Sequence, residues 1–121
     1  MKRVIFADIP INDENKQYPL LFSLGVLDQI KEHGDLKTVM DKLKDMDSGT
    51  FIDLTVAMSD AGSKRMKRYE DQDYEPISRE DLELLGFREA LAVRDKLYEA
   101  IAAGFTEEVD GKSNSKKKGK K

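Results

Sequence analysis

The residue with the most versatile side-chain chemistry in this sequence is its single histidine, His33. It stands beside Gly34 at the end of a helical pattern, where an imidazole can bind the last carbonyls and interact with the negative helix pole. A metal or catalytic role needs partner side chains, and the chain has no cysteine and no second histidine. We therefore predict a structural role for His33 and no metal site.

Carboxylates and hydroxyls are plentiful, but their spacing carries no recognisable chemistry. The acidic clusters at 13–16 and 70–73 lack the alternating ligands and central glycine of a calcium loop. The serines have no G-x-S-x-G context, and the glycines are scattered singly rather than grouped in a phosphate loop. The sequence thus predicts a protein that is not an enzyme and that binds no cofactor.

Charge is distributed unevenly along the 121 residues, of which 39% are hydrophobic and 37% charged. Residues 110–121 carry six lysines and one aspartate, a net charge of +5. The overall charge of −3 therefore leaves −8 on residues 1–109, and an acidic body disfavours nucleic-acid binding. Without a signal peptide, an apolar run long enough to span a membrane or any cysteine, we predict a cytoplasmic protein with no membrane partner.

The N-terminal residues have the pattern of a short β-hairpin. Two β-rich runs, residues 4–11 and 17–22, flank the polar residues 12–16, which predict a loop of several residues. Pro10 and Pro19 cannot donate hydrogen bonds to a strand ladder, so both strands should be short or lie at an edge.

Two short capped helices are predicted next. Ser23 is the expected N-cap of the first helix, which Gly34 should end, and Asp35 is the expected N-cap of the second. The apolar stripe of the first helix comprises Leu24, Val26, Leu27 and Ile30, and that of the second comprises Leu36, Val39, Met40 and Leu43.

The third helix carries a strong pattern. Thr50 and Asp53 approximate a capping box at its start, and Gly62 is the predicted stop. Phe51, Leu54 and Met58 share one face. Residues 63–76 predict a frayed helix end and an exposed loop, because their charges show almost no periodicity.

Order is predicted to resume at Ser78, an N-cap with Asp81 three residues later. A helical hairpin or one bent helix should follow, interrupted near Gly86 and closed by Gly104; its apolar positions are Leu82, Leu85, Leu91, Leu97 and Ile101. We predict an α+β, mainly α-helical fold: a short N-terminal hairpin and four to five helices in one domain, residues 1–109. Residues 110–121 are predicted to be a disordered basic tail.

The order of these elements resembles the tail assembly chaperones of long-tailed bacteriophages, over about residues 4–105. In that family a strand pair with an aromatic and apolar motif enters the first helix through a small or polar residue. QYPLLFSLGVLDQIKEHG, residues 17–34, has this pattern at Leu21, Phe22, Ser23 and Leu24. A C-terminal helical pair closes the family domain, as SREDLELLGFREALAVRDKLYEAIAAGF, residues 78–105, is predicted to do.

The resemblance implies a non-enzymatic protein that binds the tape measure protein and keeps its apolar helices soluble during tail assembly. Such proteins act in the host cytoplasm, are absent from the mature virion and often form homo-oligomers. Unbranched methionines suit adaptable binding surfaces as well as cores. The predicted partner-binding residues are therefore Met40, Leu43, Met46, Phe51, Leu54 and Met58.

The lysine-rich stretch 112–121 has three interpretations. Lysine codons are A-rich, so the stretch predicts a site of −1 ribosomal frameshifting, which in the resembled family yields a longer form that recruits tail tube protein. Alternatively, the lysines make the chain more soluble or bind phosphate. The last interpretation belongs to a rival function, a small regulatory or nucleic-acid-associated adaptor that uses its basic tail. The basic segment 64–69 has the pattern of RNA-contacting segments, but the acidic cluster 70–73 follows it directly, so we predict a solvated helix end or loop there.

Overall fold

A hairpin and five α-helices make up the structure, a computed structural model that describes residues 4–11 and 14–110. The antiparallel strands are β1 (Ile5–Ile11) and β2 (Glu14–Leu20). The predicted α+β, mainly helical fold is thereby confirmed. The disordered tail is predicted for residues 110–121. From residue 111 onward, this stretch lies outside the residues that the structure describes.

The hairpin extends closer to its turn than the sequence predicts. Ile9 pairs with Lys16 and Ile11 with Glu14, so β2 begins at Glu14 rather than at Gln17. The strand ladder consists of backbone hydrogen bonds, which polar side chains do not disrupt when they face solvent. Residues 14–17 are all exposed, and both strands are edges of this two-stranded sheet, as their prolines require.

The helices follow the predicted order. They are α1 (Leu24–Gln29), a 3-10 turn (Lys31–His33), α2 (Leu36–Lys44), α3 (Ser48–Glu70), α4 (Arg79–Glu83) and α5 (Phe87–Asp110). Three predicted N-caps are confirmed by side-chain hydrogen bonds from backbone amides: Val26 to Ser23, Thr38 to Asp35, and Asp81 to Ser78. Local cap chemistry thus decides where these helices begin.

The predicted start of α3 is wrong. Its N-cap is Asp47, whose carboxylate accepts hydrogen bonds from the Thr50 amide at 3.1 Å and the Thr50 hydroxyl at 2.7 Å. Thr50 is therefore inside the helix, and its pairing with Asp53 as a capping box does not occur.

Gly34, with a φ of 114°, closes the 3-10 turn that follows α1, whereas α1 itself ends earlier, at Gln29. The other two predicted glycine stops are wrong, because α3 continues past Gly62 to Glu70 and α5 past Gly104 to Asp110. Both glycines lie where a helix approaches backbone closely. A Cβ at Gly62 would lie 2.0 Å from the Pro19 carbonyl oxygen, and one at Gly104 would lie 3.0 Å from that of Phe22. The predicted interruption near Gly86 is confirmed, since α4 and α5 are separate helices.

The core lies between the hairpin and the two long helices. The α3 helix packs against β2, and α5 packs against β1. A hydrogen bond of 3.1 Å from the Leu21 amide to the Met58 carbonyl joins the end of the hairpin to α3. The largest fully buried side chains include Ile9, Leu20, Leu43, Leu54, Met58 and Leu97. Each contributes about 1.5 to 3 kcal/mol by leaving water.

Candidate functional site

The six predicted partner-binding residues lie in or against the hydrophobic core. Leu43, Phe51, Leu54 and Met58 are buried, whereas Met40 and Met46 are half-buried. Met46 lies in the turn between α2 and α3, in a left-handed backbone conformation with a φ of 56°. A partner could contact the four buried side chains only if the core opened.

A groove at one end of α1 exposes apolar side chains instead. It is a cavity of about 420 Å³, lined by Leu21, Phe22, Ser23, Leu24, Gly25, Leu27, Arg65, Gly104 and Phe105. Leu24 is 83% exposed, Phe105 49% and Leu27 38%. We call this surface the α1 groove; it is a contiguous apolar surface of a kind that often marks a binding site.

The α1 groove exists because the apolar residues of α1 divide between two faces. Val26 and Ile30, four residues apart, are buried, so the predicted single stripe is wrong in this respect. Leu24 and Leu27, three residues apart, point away from that face and remain accessible.

Two aromatic rings form one wall of the α1 groove. The ring centroids of Phe22 and Phe105 are 5.9 Å apart, and the ring planes are inclined by 37°. Gly104 lets α5 approach the Phe22 carbonyl, so this glycine permits the close packing on which the wall depends.

Arg65 places a positive charge in the otherwise uncharged lining of the α1 groove. It belongs to the basic segment 64–69, which continues α3 rather than forming a loop. Within that segment Lys64 pairs with Asp60 at 3.1 Å and Lys67 with Asp73 at 3.0 Å. The Arg65 guanidinium lies 5.2 Å from the centre of the Tyr69 ring.

A polar cluster surrounds His33 on another part of the surface. Its Nε2 atom lies 2.7 Å from Asp53 Oδ2 and 3.8 Å from Glu32 Oε2. Arg79, at the start of α4, donates a hydrogen bond to the other oxygen of Asp53. Partial burial opposes ionisation of Asp53, but the hydrogen bonds from Arg79 and His33 outweigh it and lower the pKa of this carboxyl.

The cluster also contains a hydroxyl, a histidine and a carboxylate, but not in the arrangement of a catalytic triad. Thr50 Oγ1 is 3.5 Å from His33 Nδ1, and its proton is directed to Asp47 at 2.7 Å. Thr50 is only 1% exposed. This hydroxyl can neither pass its proton to His33 nor reach a substrate, so it is not an activated nucleophile.

These contacts replace the predicted role of His33. Its ring bonds to side chains of α3 and not to the last carbonyls of its own helix. The signal that could have revealed this is weak, because Asp53 is 20 residues away and looks like an ordinary solvated carboxylate in the sequence. The sequence also does not reveal that Leu24, Leu27 and Phe105 are accessible in the groove. Their helical spacing is equally compatible with buried positions in the core.

Within residues 4–11 and 14–110, no helix is both long enough and apolar enough to cross a lipid bilayer. Comparison of the whole chain with models of known families, with curated proteins and with solved structures gave no significant match.

Proposed function

We propose that this protein is a bacteriophage tail assembly chaperone that binds an apolar helix of the tape measure protein in the α1 groove. The observation that carries the proposal is the groove itself, in which Leu24, Leu27 and Phe105 remain accessible. The resemblance of the chain to this family, and the hairpin followed by five helices, support it further.

An amphipathic helix is the partner that this surface fits best. Such a helix presents apolar side chains at successive turns, and binding would remove both its stripe and the leucines of the groove from water. Arg65 can pair with an acidic residue at the border of that stripe. The acidic body, with a charge of −8 over residues 1–109, keeps the complex soluble.

The proposal includes the cellular setting that the resemblance implies. The chaperone acts in the host cytoplasm, is absent from the mature virion and is free to form homo-oligomers. A −1 frameshift within the lysine codons of residues 112–121 produces a longer form that recruits tail tube protein.

Co-expression tests this function. The tape measure protein of the same genome is produced in bacteria with and without this chain, and its soluble fraction is measured. We expect a soluble complex that is recovered by pull-down only when both proteins are present. An equally insoluble tape measure protein in both cases, with no complex, contradicts the proposal.

The rival function, an adaptor that binds nucleic acid, depends on the basic side chains. Two of the four in segment 64–69 are paired with Asp60 and Asp73, which weakens the positive field that phosphates require. Measurement of DNA and RNA binding at low and high salt distinguishes the two functions. Tight, salt-sensitive binding that is lost on deletion of residues 112–121 favours the adaptor.

A further inference from the structure

The cluster of Glu32, His33 and Asp53 brings three potential metal ligands together on one surface. One carboxylate or imidazole atom of each residue lies within 4.8 Å of those of the other two. We propose that this cluster binds one divalent zinc ion. The inference is independent of the proposed chaperone function and concerns a different surface.

The spacing of the ligand atoms is close to what zinc requires. Zinc binds imidazole nitrogen and carboxylate oxygen at about 2.0 to 2.2 Å, so tetrahedral ligands stand roughly 3.3 Å apart. His33 Nε2 is 2.7 Å from the Asp53 oxygen and 3.8 Å from the Glu32 oxygen. Displacements of roughly half an ångström bring these two pairs to that spacing. The remaining distance, between the Glu32 and Asp53 oxygens, is at most 4.8 Å, and rotation of the exposed Glu32 side chain can adjust it.

Two of the three ligands are already held by the outer partners that metal sites characteristically contain. His33 Nδ1 faces the Thr50 hydroxyl at 3.5 Å, and that hydroxyl donates to Asp47 at 2.7 Å. The second oxygen of Asp53 accepts a hydrogen bond from Arg79. These partners fix the imidazole and the carboxylate from behind, which distinguishes the cluster from an ordinary group of solvated acidic residues.

The site also has room for a fourth ligand. A cavity of about 260 Å³ adjoins the cluster, and its lining includes Glu32, Asp53 and Arg79. A water molecule can complete the coordination there. The sequence predicts no metal site because it offers His33 no cysteine and no second histidine. Glu32 is its neighbour in the sequence, and the fold brings Asp53, 20 residues away, to the same place.

Isothermal titration of the full chain with zinc chloride tests the proposal. We expect one equivalent to bind, and E32Q, H33Q and D53N each to weaken binding at least about tenfold. Two matched control variants each remove a carboxylate outside the cluster. D28N changes an exposed residue close to Glu32 in the sequence, and D60N changes a residue of α3, the helix that carries Asp53. Both should bind zinc within about twofold of the unmodified chain.

The exposure of Glu32 keeps the test interpretable, because E32Q changes a side chain that the fold does not need. A second readout uses the ring signals of His33 in NMR spectra, which belong to the only histidine of the chain. They should shift on zinc addition and remain unchanged in D53N at the same zinc concentration. No saturable binding up to about 1 mM zinc, or equal affinity in E32Q and D28N, overturns the proposal.

Discussion

Asp53 joins three segments that are distant in the sequence. It lies on α3, contacts His33 in the turn before α2, and accepts a hydrogen bond from Arg79 at the start of α4. Its partial burial is offset by these hydrogen bonds, so the pKa of its carboxyl is lowered. The charged form therefore favours the folded state over the unfolded state.

The pH dependence of stability should reveal this carboxylate. A pKa below the ordinary value of 3.8 means that the unfolded chain binds the proton first as pH falls. The stabilisation is fully present above pH 3.8 and is lost as pH falls through the lower, folded-state pKa. The advantage of the unmodified chain over D53N in urea unfolding should therefore stay constant from about pH 6 to about pH 5 and shrink as pH falls below 3.8 towards about pH 3.

The variant D60N controls for the loss of one charge from α3. Asp60 pairs with the exposed Lys64, so its replacement should change stability less and with a weaker pH dependence. A D53N deficit that stays constant down to about pH 3 would show that Asp53 does not act through its charge.

At the scale of elements, α3 depends on a glycine where it crosses the hairpin. A Cβ at Gly62 would lie 2.0 Å from the Pro19 oxygen and 2.5 Å from the Pro19 carbonyl carbon. We expect G62A to lower the free energy of unfolding by about 1 to 3 kcal/mol or more, because backbone must move. Chemical denaturation measures the difference.

Gly49, in the first turn of the same helix, is the matched control. An added Cβ there has no neighbour closer than 3.9 Å. G49A should raise the free energy of unfolding by up to about 1 kcal/mol, since alanine has less conformational freedom to lose on folding. Equal effects of the two substitutions would disprove the close crossing.

Two leucines that look alike in the sequence should also behave differently. Leu54 of α3 is fully buried, and L54A should destabilise the protein by about 2 to 5 kcal/mol. Leu24 is 83% exposed, and L24A should change the free energy of unfolding by no more than about 0.5 kcal/mol. A large loss in L24A would mean that this residue belongs to the core.

The sequence predicted the features that local interactions determine. Ser23, Asp35 and Ser78 each cap a helix through a residue three positions later, a relation that is visible in the sequence itself. Gly62 looks like a helix stop in the sequence, because its actual role depends on contact with Pro19, which is far away along the chain. The contact between His33 and Asp53 and the exposure of Leu24 likewise depend on how elements pack.

At the scale of the whole molecule, stability and binding use different apolar residues. The core between the hairpin, α3 and α5 contains four of the six residues that the sequence offered for partner binding. The α1 groove exposes another set, in which Leu24 has no part in the buried core. This separation allows the binding surface to be altered without unfolding the protein.

The most direct test of the chaperone proposal compares two equally exposed leucines. Leu24 in the α1 groove is 83% exposed, and Leu84, at the end of α4, is 85% exposed. L24E and L84E are each co-expressed with the tape measure protein, and the amount of complex recovered by pull-down is measured. We predict that L24E loses the complex and L84E retains it. Retention by L24E, or loss by L84E alone, would contradict binding in the α1 groove.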